Sequence, residues 1–308
     1  MTALGRKSYA AGHFLFNLDD GGGLGAGYIK SAAGGMVKGA VIADQAGPVT
    51  TQFKHLGAVE IETIQLEMGM ALSRPLLEWI RASWQRKFSR RSGSIVHADF
   101  DFKCKFEQWF EDALILETKF PTFDGGSRDP AYLSVTLHPE RVTAKKGDNS
   151  DVRGNHGLYQ KLWQACNFRL DIQGVDCSKV NKIDSFSVSQ KVKPLYVGGA
   201  RFPQLEPTHI EFGDLVVYVA TEHASGFEAW HERTIMQGAK VTREEREGFL
   251  EILAPDHKTV LFTINFNRLG IKELSVEKSD ANAEQIKRYK VQLYLESMDL
   301  DFDGRYMK

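Results

Sequence analysis

The sequence predicts a mainly β, α+β protein made of two related domains, in each of which strands lead into one helix. Three observations predict it. The stretch VEIETIQLEMGMALSRPLLEW, residues 59–79, passes from period-two alternation to helical spacing. A reworked copy, THIEFGDLVVYVATEHASGFEAW, stands at 208–230. The segments after both copies then run in one order, strand, strand, spacer, strand, which is the mark of an internal repeat.

In the first copy Val59, Ile61 and Thr63 alternate with Glu60 and Glu62, the pattern of a half-buried strand. A helix follows, with Ser73 as N-cap, Pro75 in the first turn, Leu77, Ile80, Trp84 and Phe88 on one face, and Gly93 at its end. In the second copy Ile210 and Phe212 alternate with Glu211 and Gly213, and Phe227, Trp230 and Ile235 mark a helix closed by Gly238. Trp79 and Trp230 fall at matching points, and with Trp84 they are the expected anchors of the helices in the core. Beyond the helices, SIVHADFDFKCKFEQWF, ALILETKF and AYLSVTLHPERV are echoed by GFLEILAPDHKTVLFTINF, IKELSVEK and RYKVQLYLESM.

Read from the start, HFLFNL is a first strand with Phe14, Phe16 and Leu18 on one face. Residues 28–57, rich in Gly and Ala, read as a long loop that is functional or ordered on assembly. From Ala98 to Phe106 the alternation places Phe100, Phe102, Cys104 and Phe106 on a core face and Asp99, Asp101, Lys103 and Lys105 on a wet one. Residues 141–180 join the halves, with helical spacing at Leu158, Leu162, Ala165 and Cys166. IDSFSVSQKV then opens the second half, its Phe186 and Val188 mirroring Phe14 and Phe16, and GGARFPQLEP replaces the long loop. The expected domains are 1–145, a partly helical connector 146–180, and 181–308.

A chain of 308 residues has room for two domains and a large core. With 39 Lys+Arg against 40 Asp+Glu, net charge −1, no general attraction to nucleic acid or anionic membrane is expected. Cys104, Cys166 and Cys177 have neither metal-site spacing nor an even count, which suits a reducing compartment. No signal peptide and no run of about twenty apolar residues is visible, so synthesis in the cytoplasm without membrane insertion is expected.

The chemical motifs are incomplete. Gly21-x-Gly23-x-x-Ala26 imitates a dinucleotide turn but lacks the following amphipathic helix. Asp299-x-Asp301-x-Asp303-Gly304 imitates the start of a calcium loop, but the sequence ends at Lys308, before the bidentate twelfth position. His223 and His231, flanking the second helix, would stand about 12 Å apart on an ideal helix, too far to share a metal. Asp99 and Asp101 read as part of a charged wall with Lys103 and Lys105, not as an acid/base pair. RASWQRKFSRR, residues 81–91, has the aromatics and arginines of a single-strand binder, yet Trp84 and Phe88 share the core face of the helix. No catalytic residue, cofactor or metal is expected.

The order of elements, and above all LGAVEIETIQLEMGMALSRPLLEWI with Glu67, Met68, Gly69 and then Leu77 to Ile80, resembles the inner-tube proteins of contractile phage tails and injection systems. The resemblance covers the first half; the second half shares the order of elements but has Val217 to Glu222 where the Glu-x-Gly turn stands. It implies tail-tube-like β-barrel or sandwich domains, each with one flanking helix, assembled into rings by sheet extension between subunits, with the loop carrying Met36, Val41, Phe53 and Leu56 reaching a neighbouring ring. Asp99, Asp101, Lys103 and Lys105 are the expected lining of the passage.

A duplicated chain then suggests a tube, hub or terminal ring of three copies with pseudo-sixfold symmetry, or a hexamer. Its partners would be itself, other tail, sheath or baseplate proteins, and passing DNA or effector cargo. Its place would be a virion tail or injection particle. Two other readings stand beside this one: a monomeric β-barrel that binds a small ligand, separable by oligomeric state, and a nucleic-acid-binding module using residues 81–91, separable by salt-dependent DNA binding.

Overall fold

Alternating apolar residues along a strand bury one face, and the backbone must then find partners on both edges. The computed structural model describes residues 12–19, 27–44, 52–69, 73–152, 163–238, 244–277 and 287–302. Before the first helix run β1 (His13–Leu18), β2 (Gly27–Ile29), β3 (Ser31–Gly34), β4 (Val37–Asp44), β5 (Phe53–Ile61) and β6 (Ile64–Met68). Helix α1 (Arg74–Trp84) leads to β7 (Arg91–Ala98), β8 (Cys104–Lys119), β9 (Phe123–Asp124), β10 (Leu133–His138) and β11 (Arg141–Lys146). The later part holds β12 (Phe168–Ile172), β13 (Val180–Ile183), β14 (Ser187–Leu195), β15 (Gln204–Phe212) and β16 (Leu215–Ala220). Helix α2 (Ser225–His231), prolonged by a π-helical turn over Glu232–Met236, precedes β17 (Arg246–Leu253), β18 (Val260–Val276), β19 (Arg288–Tyr294) and β20 (Ser297–Asp301).

The protein is mainly β, and its two large sheets share one strand order. The first runs β1-β7-β8-β10-β6-β3 with β11 on β8; the second runs β12-β17-β18-β19-β16-β13 with β20 on β18. Registers agree as well. Gly93 stands between Leu18 and Phe110, and Gly248 between Ile172 and Phe266, each just after a break in register. Leu137 lies between Ile115 and Ile64, as Leu293 lies between Ile271 and Leu215. Asp112 and Arg268 hold the same left-handed backbone at φ 51 and 56, one residue after Glu111 and Asn267, which face Arg141 and Ser297.

The tryptophan at the matching point of each helix does one job twice. Trp79 Nε1 donates to Ser89 O at 2.6 Å and Trp230 Nε1 donates to Glu244 O at 2.8 Å, so each indole is buried with its only donor satisfied. Leu76, Leu77, Ile80 and Trp84 complete the inward face of α1. A single cluster of buried side chains runs from Phe16 through Phe120 to Leu300, so the two sheets share one core.

Several sequence expectations are corrected here. The stretch read as a loop over 28–57 holds β2, β3 and the β4–β5 hairpin, because Gly and Ala permit strand pairing without offering a strong apolar period; its tip, 45–51, lies outside the described residues. Helix α1 ends at Trp84, so Phe88 (φ 39) is off the helix and Gly93 is a strand residue whose absent Cβ would meet Asn17 O at 2.1 Å. The strand matching β1 is β12, not IDSFSVSQKV, and it falls in the stretch assigned to the connector. Leu158 and Leu162 are outside the described residues, while Ala165 and Cys166 follow a bridge between Gln164 and Pro130 in non-helical backbone.

Candidate functional site

What the two sheets do not share is the fate of their hairpins. β14–β15 pairs with the end of β8, Ser187, Val188 and Ser189 standing opposite Lys119, Thr118 and Glu117. The corresponding hairpin of the first half, β4–β5, forms a two-stranded sheet of its own. The end of β18 that corresponds to the acceptor on β8 has β19 on one side, and among the described residues no strand on the other. Among the described residues the chain therefore carries one made join, one donor hairpin and one acceptor edge.

The made join is closed by specific groups. Phe120 N donates to Phe186 O at 2.9 Å, and the two rings stack with centroids 5.0 Å apart. Trp84 packs edge-on to Phe120, and Ser83 Oγ of α1 donates to Gln190 Oε1 of β14 in a buried contact. At the far end Arg90 Nη2 donates to Leu205 O, Leu205 N donates to Glu140 Oε1, and Arg90 also faces Glu206 at 3.9 Å. Thr118 at the centre of the join is fully buried.

The donor hairpin is apolar and exposed. Met36, Val41, Phe53 and Leu56 are 55%, 62%, 65% and 73% accessible, and Val37 and Ile42 lie with them. Two-stranded hairpins of this kind gain independent stability only when further strands or a packing face cover them. On the acceptor side Val276 is 62% and Ile235 49% exposed. Their counterparts by register and helix position, Phe120 and Trp84, are 1% and 4% exposed because the made join covers them.

Asp99, Asp101, Lys103 and Lys105 do not form a strand wall. Residues 99–102 are a turn between β7 and β8, where Phe102 has φ 61 and Phe100 is 71% exposed instead of joining the core. Asp99 Oδ1 accepts from Asp101 N and Lys103 N, and its other oxygen pairs with Lys105 at 3.1 Å. Lys103 pairs with Asp151. Alternation was the ground for setting these four along a passage, and the turn replaces it.

The Lys103 N–H bond is the main cause that holds the Asp99 carboxyl below its ordinary value. Stability drawn from the charged form is therefore present above the ordinary carboxylate range and lost as pH falls through the lowered value. Asp99→Ala should lower the melting temperature at neutral pH and converge on wild type in acid; a difference that persists in acid would contradict the charge-based role.

The remaining motifs resolve simply. Asp299 of the calcium-like run is taken by Arg81 at 3.1 Å and Gln85 at 2.9 Å, while Asp303, Gly304 and the Gly21–Ala26 turn lie outside the described residues. Trp84 of the basic segment is buried and Arg90 is engaged in the join, so neither is presented to a nucleic-acid strand. No helix among the described residues is long and apolar enough to cross a membrane.

An unpartnered hairpin and an open sheet edge in one chain define a β protein that another chain can complete. Residues 164–299 match the family described as T4-like virus tail tube protein gp19, and over them the chain is tail-tube-like. The match falls on the later half, where sequence reading had only the order of elements, and it begins before β12.

Solved structures similar to this chain include the cap terminating the tube of the anti-feeding prophage (18% identity, TM-score 0.39, 47% of this chain and 96% of the other). Another is the PVC extracellular contractile injection system sheath-tube complex (19%, 0.38, 46% and 93%), and a third the anti-feeding prophage baseplate (13%, 0.36, 43% and 89%). Each spans nearly all of the solved chain and under half of this one. The comparison with curated proteins gives no match.

Proposed function

We propose that the protein is a non-catalytic structural subunit of a contractile phage tail or related injection particle, with two tail-tube-like units in one chain, the second starting near residue 164. The observation that carries this is the repeat of strand order and register in two sheets, one of which lies in the stretch matching the tail tube family. Two units per chain suit a ring of three copies with six similar positions, the arrangement a hub or terminal ring needs between threefold and sixfold parts. Sheath, tube or baseplate proteins are the natural neighbours of such a ring, and its opening would pass nucleic acid or effector cargo.

Negative-stain images and light scattering of the purified protein test the reading. Closed rings with the mass of three chains are the expected result, and six chains would revise the symmetry alone. A protein that stays monomeric at high concentration would overturn the function. The ligand-binding barrel gains no support from the fold, since the space between sheets and helices is filled by Phe16, Phe110, Trp79, Phe227, Trp230 and Phe266.

A further inference from the structure

We infer that the β4–β5 hairpin of one chain docks on the open edge of β18 in a second copy, in the register of the made join. The inference rests on the ring reading above and specifies its contact.

Register supplies the pairing. Val188 faces Phe212 as Val37 faces Ile61, so Val37 is the counterpart of Val188; both hairpins break register two residues further on. On the acceptor, Thr118 faces Val135 and Leu274 faces Val291, and Val135 and Val291 hold the same place opposite Leu66 and Val217. Val188 opposite Thr118 in the made join thus translates to Val37 opposite Leu274, and Ser189 opposite Glu117 to Lys38 opposite Glu273. The neutral–acidic pair of the made join becomes a basic–acidic pair, which antiparallel neighbours favour.

At the far end of the join one acceptor group changes sign. Arg90 and Gly93 at the start of β7 correspond to Glu245 and Gly248 at the start of β17, and Glu140 corresponds to Glu296, each donating its backbone N–H across the adjacent long strand, to Glu111 O and Asn267 O. Leu205 and Glu206 correspond to Lys54 and His55. Where Arg90 meets Glu206, Glu245 would meet His55, and where Leu205 N donates to Glu140, Lys54 would lie beside Glu296. Glu245 and Glu296 already share Arg268, at 2.8 and 3.0 Å, so the acceptor is preassembled.

The apolar groups agree. Val276 and Ile235 are exposed at the positions of Phe120 and Trp84, and the incoming hairpin would cover them as β14–β15 covers those aromatics. The contact joins unlike halves head to tail, so repeated from chain to chain it builds a ring where its rotation closes and an open filament where it does not.

Disulfide trapping reads the register directly. In a Cys166→Ser background, Val37→Cys with Leu274→Cys should cross-link between chains under a mild copper–phenanthroline oxidant, at least about tenfold faster than Val37→Cys with Val276→Cys, two residues out of register. Lys38→Glu and Glu273→Lys should each weaken association about fivefold per contact, and the double exchange should restore it. Rings that form without the 37–274 cross-link, or singles that leave association unchanged, would overturn this contact while the ring reading stands. A protein that does not self-associate would overturn both.

Discussion

Phe120→Ala is expected to split the unfolding of this protein into two transitions and to cost about 3–5 kcal/mol, the range for emptying a buried aromatic site. Phe120 is 1% exposed and touches rings from both halves: Phe186 stacked at 5.0 Å, Trp84 edge-on at 6.0 Å and Phe262 at 6.2 Å. Its own N–H closes the last rung between β8 and the segment leading into β14. Removing the ring takes the packing from the place where a sheet of one half borrows a hairpin from the other. The strand order within each sheet is untouched. Scanning calorimetry should then show two heat-absorption peaks where wild type shows one. A variant that loses stability yet keeps a single transition would show that the shared core, and not this seam, makes the halves cooperative.

Much of this arrangement could be read from residues 59–79 and 208–230, because the strand-to-helix passage keeps its spacing: Ile64 to Trp79 and Leu215 to Trp230 are equally long. The two tryptophans were legible for the same reason. Other elements were hidden by physical causes that can be named. β3 and β4 are built from SAAG and VKGAVIAD, where small residues pair by backbone hydrogen bonds and leave little apolar period to detect.

The turn at 99–102 was invisible because its side chains keep alternating polar and apolar while the backbone reverses, with Asp99 holding the turn through Lys103 N. β12 was missed because FRLDI is short and sits in a polar stretch. The candidate site was legible only as composition. Met36, Val41, Phe53 and Leu56 stood out as apolar residues in a Gly-rich region, but the pairing of the two hairpins, which shows that one lacks a partner, depends on contacts more than sixty residues apart.

Trp230→Ala should cost about 3–5 kcal/mol in urea unfolding, and Trp230→Phe about 1–2 kcal/mol, because phenylalanine keeps most of the packing and loses only the indole bond. Trp230 has no solvent exposure, its N–H is held by Glu244 O at 2.8 Å, and the Arg246 guanidinium lies 4.4 Å from its ring centre. This residue ties α2 to the chain entering β17, and β17 pairs along β18, whose far end is the open edge. Loosening the tie therefore reaches assembly as well as stability: Trp230→Ala should lower ring yield at temperatures where the variant is still folded. Trp79 makes the matching bond in the first half, where α1 instead supports the join already made within the chain. Trp79→Ala should lose comparable stability but less ring yield at equal folded fraction, and an equal loss of rings from both variants would remove the special place given to the β18 edge.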